Sequence, residues 1–135
     1  MPSDQQEGRT AGVRPAVLIV DDQTDVAETG AEMLTLLGYD ATTANSAADA
    51  LKHLEAGTRV GVLFLDIGLR SGMSGLDLAI IVRDRFPEIA ILLTTGHGDA
   101  MAEARGQGFE VLPKPYLVGP LREALARLLV SRSAG

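Results

Sequence analysis

Short apolar segments alternate with helical patterns along most of the chain. The apolar runs are nearly continuous, which is typical of strands that are buried on both faces of a parallel sheet. Three strong runs and two weaker ones occur, at Ala16–Val20, Val60–Leu65, Ile89–Leu93, Tyr39–Ala44 and Phe109–Leu112. The pattern therefore predicts five β-strands.

The segments between these runs carry apolar side chains at spacings of three and four residues, the period of an amphipathic helix. Four such patterns are clear, at 26–37, 47–54, 76–83 and 118–129. Between the last two strands only Ala100–Arg105 has helical character, which predicts a shortened fourth helix of about two turns. Strict alternation of strands and helices predicts an α/β fold of the type (βα)₅, a three-layer sandwich with a parallel sheet in the middle.

Polar side chains lie at the ends of the predicted strands. The first strand ends in Asp21 and Asp22, the third in Asp66 and the fourth in Thr95, and the fifth leads into Lys114. Ligands of open α/β sheets bind beyond the carboxyl ends of the strands, so we expect these side chains to meet there. Three carboxylates in one pocket need neutralisation, because two unit charges about 4 Å apart repel by roughly 4 kcal/mol at an effective dielectric near 20.

This set of groups points to phosphoryl chemistry. Carboxylates, a loop carbonyl and water are the ligands that Mg²⁺ prefers, with Mn²⁺ as an alternative. A divalent cation, a lysine ammonium and a threonine hydroxyl together are suited to holding a phosphoryl group. An aspartate carboxylate can also attack phosphorus itself and give an aspartyl phosphate.

Composition narrows the classes of function. The chain has 135 residues, enough for one domain, with no cysteine and a net charge of −6. Disulfides and thiolate-bound metals are therefore excluded, and nucleic-acid binding is disfavoured. No apolar run approaches the roughly 20 residues of a membrane-spanning helix, and no secretory signal is present, so we expect a cytoplasmic protein without a membrane segment. We also expect a disordered tail at 1–14, one domain at 15–131 and a short tail at 132–135.

Five short motifs lie at or after the strand ends: Val20-Asp21-Asp22, Leu65-Asp66-Ile67-Gly68, Gly72-Met73-Ser74-Gly75, Thr94-Thr95-Gly96 and Lys114-Pro115. Each motif is weak alone, but their order on five strands is specific. Together they resemble the motifs of response-regulator receiver domains, which act in two-component signalling. The resemblance implies a flavodoxin-like sheet in the order 2-1-3-4-5 and a signalling domain rather than an enzyme. Receivers attached to hybrid histidine kinases look most similar, although here the domain is expected to stand alone.

The resemblance implies a metal site. Asp66 matches the phosphoacceptor and, with Asp22, a direct ligand of Mg²⁺. The backbone carbonyl of Gly68 matches the third protein ligand, and Asp21 matches an acid that acts through water.

The resemblance also implies how a phosphoryl group would be held. Thr95 matches the switch hydroxyl, and Gly96 matches a small residue that leaves the pocket open. Lys114 matches the lysine that binds the phosphoryl group, and its bond to Pro115 would then be cis, a minority form of the X–Pro bond.

The implied phosphoryl donor is a histidine kinase or a histidine phosphotransfer protein, and the implied target is a further protein. Receivers of this kind dock on their partner through the first helix and the loop after the fifth strand. In this chain that face comprises Thr24, Val26, Ala27, Pro115 and Tyr116.

Four features depart from the family's pattern. Gln23 stands where a glutamate is common, and Arg70 stands where a proline is usual. Val111 falls where many members carry an aromatic residue, and the interval from Thr95 to Lys114 is about one helical turn short. The last two departures predict a switch that is weaker or differently routed.

Other functions stay open from the residues alone. The domain could act as a phosphate shuttle or sink in a phosphorelay. A small Mg²⁺-dependent phosphatase would need a second acid two residues after its nucleophile, where Gly68 stands. A flavodoxin-like FMN binder is disfavoured, because the acidic pocket would repel the cofactor phosphate. A lone loop histidine such as His97 is more often solvated than a catalytic or metal-binding group.

Overall fold

A computed structural model describes residues 14–70 and 72–134 of the protein. Strands and helices alternate throughout this part of the chain. The strands are β1 (Ala16–Val20), β2 (Asp40–Ala44), β3 (Val62–Asp66), β4 (Ala90–Thr95) and β5 (Glu110–Pro113). The helices are α1 (Thr24–Leu36), α2 (Ala47–Glu55), α3 (Gly75–Arg85), α4 (Gly98–Gly106) and α5 (Val118–Ala134). None of these helices is both long and apolar enough to cross a bilayer.

The sheet has the order β2-β1-β3-β4-β5, and every pair is parallel. The predicted flavodoxin-like fold and its order 2-1-3-4-5 are therefore confirmed. In the register of the sheet, Leu65 is opposite Val20, and Asp66 is opposite Thr94. Because β1 and β3 are parallel neighbours, their acidic ends come together at the carboxyl end of the sheet.

The core has two layers, one on each face of the sheet. On one face, Leu63 and Leu65 pack in a cluster with residues of α2, α3 and α4. On the other face, Phe64 packs in a cluster with residues of α1 and α5. Burial on both faces explains why β1 and most of β3 and β4 are continuously apolar.

Asp66 and Thr95 are the last residues of β3 and β4, at the strand ends where the sequence placed them. Several other boundaries differ from the sequence prediction. Helix α4 has nine residues, as many as α2, and begins at Gly98, two positions earlier than predicted. Helix α5 continues to Ala134, so most of the segment predicted as a C-terminal tail (132–135) is helical. The predicted N-terminal tail lies outside the described residues except for Arg14.

The start of α3 is pressed against the end of β3. The Ser74 side chain caps the helix by accepting a hydrogen bond from the Asp77 N–H at 3.1 Å. A Cβ atom added to Gly75, the first helical residue, would lie 2.4 Å from Ile67 Cα and 2.8 Å from the Asp66 carbonyl oxygen. The Ser-Gly pair therefore starts a helix at a point where no side chain fits beside the β3 backbone.

Candidate functional site

A buried ionic cluster joins the ends of β1, β3 and β5. The Lys114 Nζ atom lies 2.8 Å from Asp66 Oδ2 and 3.6 Å from Asp21 Oδ2. Asp21 and Asp66 are only 4% and 8% exposed, whereas the Lys114 side chain is 25% exposed. The ammonium therefore reaches two buried carboxylates from the mouth of the pocket.

Burial changes the protonation equilibria in this cluster. Desolvation raises the pKa of Asp21, because it outweighs the hydrogen bond from the Gln23 amide and the positive charge of Lys114. Burial by itself would lower the pKa of Lys114. The hydrogen bond and charge of Asp66, with the charge of Asp21, reverse that effect and raise the pKa of Lys114. The lysine is therefore a full cation at neutral pH.

Backbone amides orient the two buried carboxylates. The Gly68 N–H donates to Asp66 Oδ1 at 2.8 Å, and the Gln23 N–H donates to Asp21 Oδ1 at 2.9 Å. Each donor lies two residues after its acceptor, which is a local side-chain-to-backbone turn. Both carboxylates are thus held in one orientation by the loops that follow their strands.

Asp22 is held by a more distant group. Its Oδ2 atom accepts a hydrogen bond from the Arg70 N–H at 3.0 Å, across 48 positions of sequence. This contact joins the β1–α1 loop to the β3–α3 loop. The sequence does not predict this contact, because almost every residue type supplies a backbone N–H. The departure from proline at Arg70 shows that a donor is present but not which group accepts from it.

The end of β4 faces the segment that carries the lysine. Thr95 is 1% exposed, and its Oγ1 accepts a hydrogen bond from the His97 N–H at 3.1 Å. The Thr95 carbonyl accepts a hydrogen bond from the Lys114 N–H at 2.9 Å. The Lys114–Pro115 peptide bond is cis, the geometry that the sequence resemblance implied. Gly96 is exposed, and a Cβ atom there would lie 3.9 Å from Lys114 Cβ, so this side of the pocket stays open.

Two further positions singled out from the sequence lie beside this region. His97 is the N-cap residue of α4 and is exposed to solvent. Val111 is 5% exposed, and its carbonyl accepts a 3.4 Å hydrogen bond from the Arg105 guanidinium of α4. The predicted rerouting of the switch at Val111 stays a prediction.

The donor set suits a hard divalent cation, although the described residues do not form a ready cage of three or more acidic, histidine or cysteine ligands. The buried carboxylates are turned towards the Lys114 ammonium and the loop amides instead. One carboxylate oxygen of Asp22 accepts the hydrogen bond from the Arg70 amide, and the other has no partner among the described residues. The negative charges of Asp21, Asp22 and Asp66 exceed the single positive charge of Lys114. Oxygen donors with this excess charge fit Mg²⁺ chemically.

A groove of about 520 Å³ lies beside this cluster, between α1 and the β5–α5 loop. Val26, Pro115 and Tyr116, three residues of the predicted partner face, line it together with Met33 and Thr29. The Tyr116 side chain packs against the core, because its ring contacts the Phe64 ring edge-to-face with 5.2 Å between the centroids. Its hydroxyl lies close to α1, 3.0 Å from the position that a Cβ atom on Gly30 would take.

The prediction of the partner face is wrong for the side chain of one residue, Ala27. Ala27 is 3% exposed and packs in the core beneath α1, on the same side of the helix as Leu34. The helical period turns Ala27 towards the sheet, whereas Val26 lies on the flank that lines the groove. Thr24 is exposed at the first position of the helix. A partner can thus reach Thr24 and Val26 but not the side chain of Ala27.

Comparisons with known proteins agree with this architecture. A family model described as the response regulator receiver domain matches residues 17–126. The nitrogen assimilation regulatory protein NtrX of Azorhizobium caulinodans is 36% identical over 104 residues, which are 74% of this chain but only 23% of NtrX.

Solved structures match over more of their own length. The signal receiver domain of an HD domain-containing protein from Pseudomonas fluorescens is 27% identical with a TM-score of 0.81, and the match covers 91% of this chain and 100% of that one. The response regulator TrrA from Thermotoga maritima, in complex with Mg²⁺-BeF, is 28% identical with a TM-score of 0.77, covering 84% and 98%. By its sequence, its sheet order and its family match, this chain belongs to the response regulator receiver domain family.

Proposed function

We propose that this receiver domain accepts a phosphoryl group on Asp66 in a Mg²⁺-dependent reaction. The donor is a phosphohistidine on a histidine kinase or a histidine phosphotransfer protein, and the phosphorylated domain then switches a protein–protein interaction. The 2.8 Å contact between Asp66 Oδ2 and Lys114 Nζ at the carboxyl edge of the sheet supports this proposal most directly. A carboxylate is a suitable nucleophile at phosphorus, and the ammonium in contact with it is suited to phosphoryl oxygens.

In the transfer step, a carboxylate oxygen of Asp66 forms a bond to phosphorus while the bond from phosphorus to the donor imidazole nitrogen breaks. Lys114 stabilises the negative charge on the phosphoryl oxygens, and the Gly68 amide keeps the carboxylate oriented. Asp22, Asp66 and the Gly68 carbonyl would hold Mg²⁺, with Asp21 acting through water. The bound cation would neutralise further charge on the transferred group.

Thr95 is the proposed switch residue. Its Oγ1 accepts the His97 amide, so its own hydroxyl hydrogen stays available to a phosphoryl oxygen on Asp66. A new hydrogen bond from Thr95 to the phosphoryl group would favour one position of the β4–α4 loop over another. The size of this preference is the difference in contact free energy between the phosphorylated domain with the loop in one position and in the other. The exposed Gly96 leaves room for that movement.

Acetyl phosphate labelling tests the proposed phosphoacceptor. The wild-type chain will gain the mass of one phosphoryl group with Mg²⁺ and none after the cation is chelated. Asp66→Asn will gain nothing, because an amide is not a nucleophile at phosphorus. Asp77→Asn, an exposed acid in the first turn of α3, will label like the wild type. Equal labelling of Asp66→Asn and the wild type would sink the proposal.

The proposed partner face can be tested separately from the chemistry. Val26→Glu places a charge in the apolar groove, and we expect phosphotransfer from the cognate kinase to slow by about ten-fold, a cost of about 1.4 kcal/mol. Thr35→Glu adds the same charge near the other end of α1, on an exposed position, and will leave transfer unchanged. Both variants will react normally with acetyl phosphate, which needs no docking. Equal transfer rates for the two variants would place the kinase elsewhere.

A phosphatase is the less favoured function for the same site. The position two residues after Asp66 is Gly68, which offers no carboxylic acid to protonate a leaving group. Repeated turnover of a small phosphoester would contradict this preference. A phosphate shuttle would use the same chemistry on Asp66 and differ only in where the phosphoryl group goes next.

A further inference from the structure

The Asp22–Arg70 hydrogen bond joins two loops that both contain proposed cation ligands. Asp22 belongs to the β1–α1 loop, and the Gly68 carbonyl belongs to the same β3–α3 loop as Arg70. The Arg70 N–H donates to Asp22 Oδ2 at 3.0 Å, while the Arg70 side chain is exposed. The backbone of residue 70, rather than its charge, therefore connects the two loops.

This hydrogen bond depends on a departure of the chain from the common pattern of receiver domains. Proline, the residue expected at position 70, has no backbone N–H and cannot make the contact. Arginine provides the donor, and any other residue except proline would provide it as well. The contact is thus a property of this chain's own sequence.

We propose that the Arg70 amide is a positioning group for the cation site, an inference that rests on the proposed function. It holds one oxygen of Asp22 and leaves the other, which has no partner among the described residues, for the cation. It also keeps the loop of Gly68 beside Asp22. Groups that hydrogen-bond a metal-binding carboxylate orient it before the metal arrives, and losing one typically weakens metal affinity by about 10- to 100-fold.

Two substitutions at position 70 isolate the amide from the side chain. Arg70→Ala and Arg70→Pro both remove the guanidinium, but only Arg70→Pro removes the N–H. In calorimetric titration with Mg²⁺ alone, we expect the Kd of Arg70→Pro to be about ten-fold higher than that of Arg70→Ala. Equal Kd values would overturn the inference while leaving the proposed function intact. If the wild-type chain binds no Mg²⁺, the proposed function fails and the inference fails with it.

A second measurement does not require the proline variant to fold. Hydrogen exchange of the Arg70 amide will be about ten-fold faster in Asp22→Ala than in the wild type, because a hydrogen bond to a charged acceptor is lost. Glu28→Ala removes the same charge from an exposed position of α1 and will leave that amide unchanged. Exchange that is already fast in the wild type, or unaffected in Asp22→Ala, would show that the contact does not hold Asp22 in solution.

Discussion

Gly75→Ala will lower the free energy of unfolding by about 3 kcal/mol, the upper part of the usual range for overpacking a core. The added Cβ would lie 2.4 Å from Ile67 Cα and 2.8 Å from the Asp66 carbonyl oxygen. Both neighbours are backbone atoms, so no side-chain rotation relieves the clash. Either the start of α3 or the end of β3 must move, and Asp66 moves with the latter.

Thermal or denaturant unfolding measures this effect, and Gly98→Ala is its matched control. Gly98 is the first residue of α4, as Gly75 is of α3, but a Cβ atom there would meet nothing within 4 Å. Alanine at 98 will leave stability unchanged or raise it by up to about 1 kcal/mol, because it restricts the unfolded chain. Two variants of equal stability would show that the α3–β3 contact is looser than the structure describes.

The clash has a functional consequence as well as a cost in stability. Asp66 accepts the Gly68 amide and the Lys114 ammonium, and both contacts require the end of β3 to stay in place. A shift of this backbone would misalign the carboxylate even in the molecules that fold. We therefore expect the Gly75 variant to lose Mg²⁺-dependent labelling by more than its folded fraction explains.

The fold is well predicted by the sequence because β1, β3 and β4 are buried along their whole length. Continuous apolar runs such as Ala16–Val20 leave few alternatives to a parallel sheet. Hydropathy does not predict the burial of Asp66 and Thr95, which are polar yet buried at the strand ends. Their burial follows from packing against other elements, and hydropathy along one segment contains no information about that packing. Helix α4 begins and ends with a glycine, a residue that disfavours helices, so the helical pattern does not predict its first and last residues.

The site is less predictable than the fold. The strand-end positions and side-chain types of Asp22, Asp66, Thr95 and Lys114 pointed to these residues, and the resemblance to a family gave each of them a proposed role. The Arg70 amide could not be found this way, since its donor belongs to the backbone and its acceptor is 48 positions away. Ala27 was misplaced for a related reason. Its assignment to the partner face of the first helix gives no information about which side of α1 faces the core.

Lys114→Met will slow phosphorylation by acetyl phosphate by about 10²- to 10³-fold, the usual effect of removing one group that stabilises developing negative charge. Asp66, the proposed nucleophile, stays in place, but the phosphoryl oxygens lose their proposed ammonium partner. Lys52→Met is the matched control, because Lys52 is the chain's other lysine and lies exposed on α2. Equal rates for the two variants would remove Lys114 from the proposed mechanism.

The same substitution will also make stability more dependent on pH. Without the ammonium, the buried carboxylates of Asp21 and Asp66 lack their counter-charge. We expect the free energy of unfolding to fall by about 2 kcal/mol at pH 7, less than for a fully buried ion pair, because Lys114 is partly exposed. The pKa of Asp21, already raised by burial, will rise further. A carboxyl group whose pKa is higher in the folded state stabilises the protein below its unfolded pKa of about 3.9 and loses that contribution as pH rises through the folded pKa. The difference in unfolding free energy between Lys114→Met and the wild type will therefore be small near pH 4 and grow towards pH 7. A difference that is constant over this range would contradict the proposed charge balance.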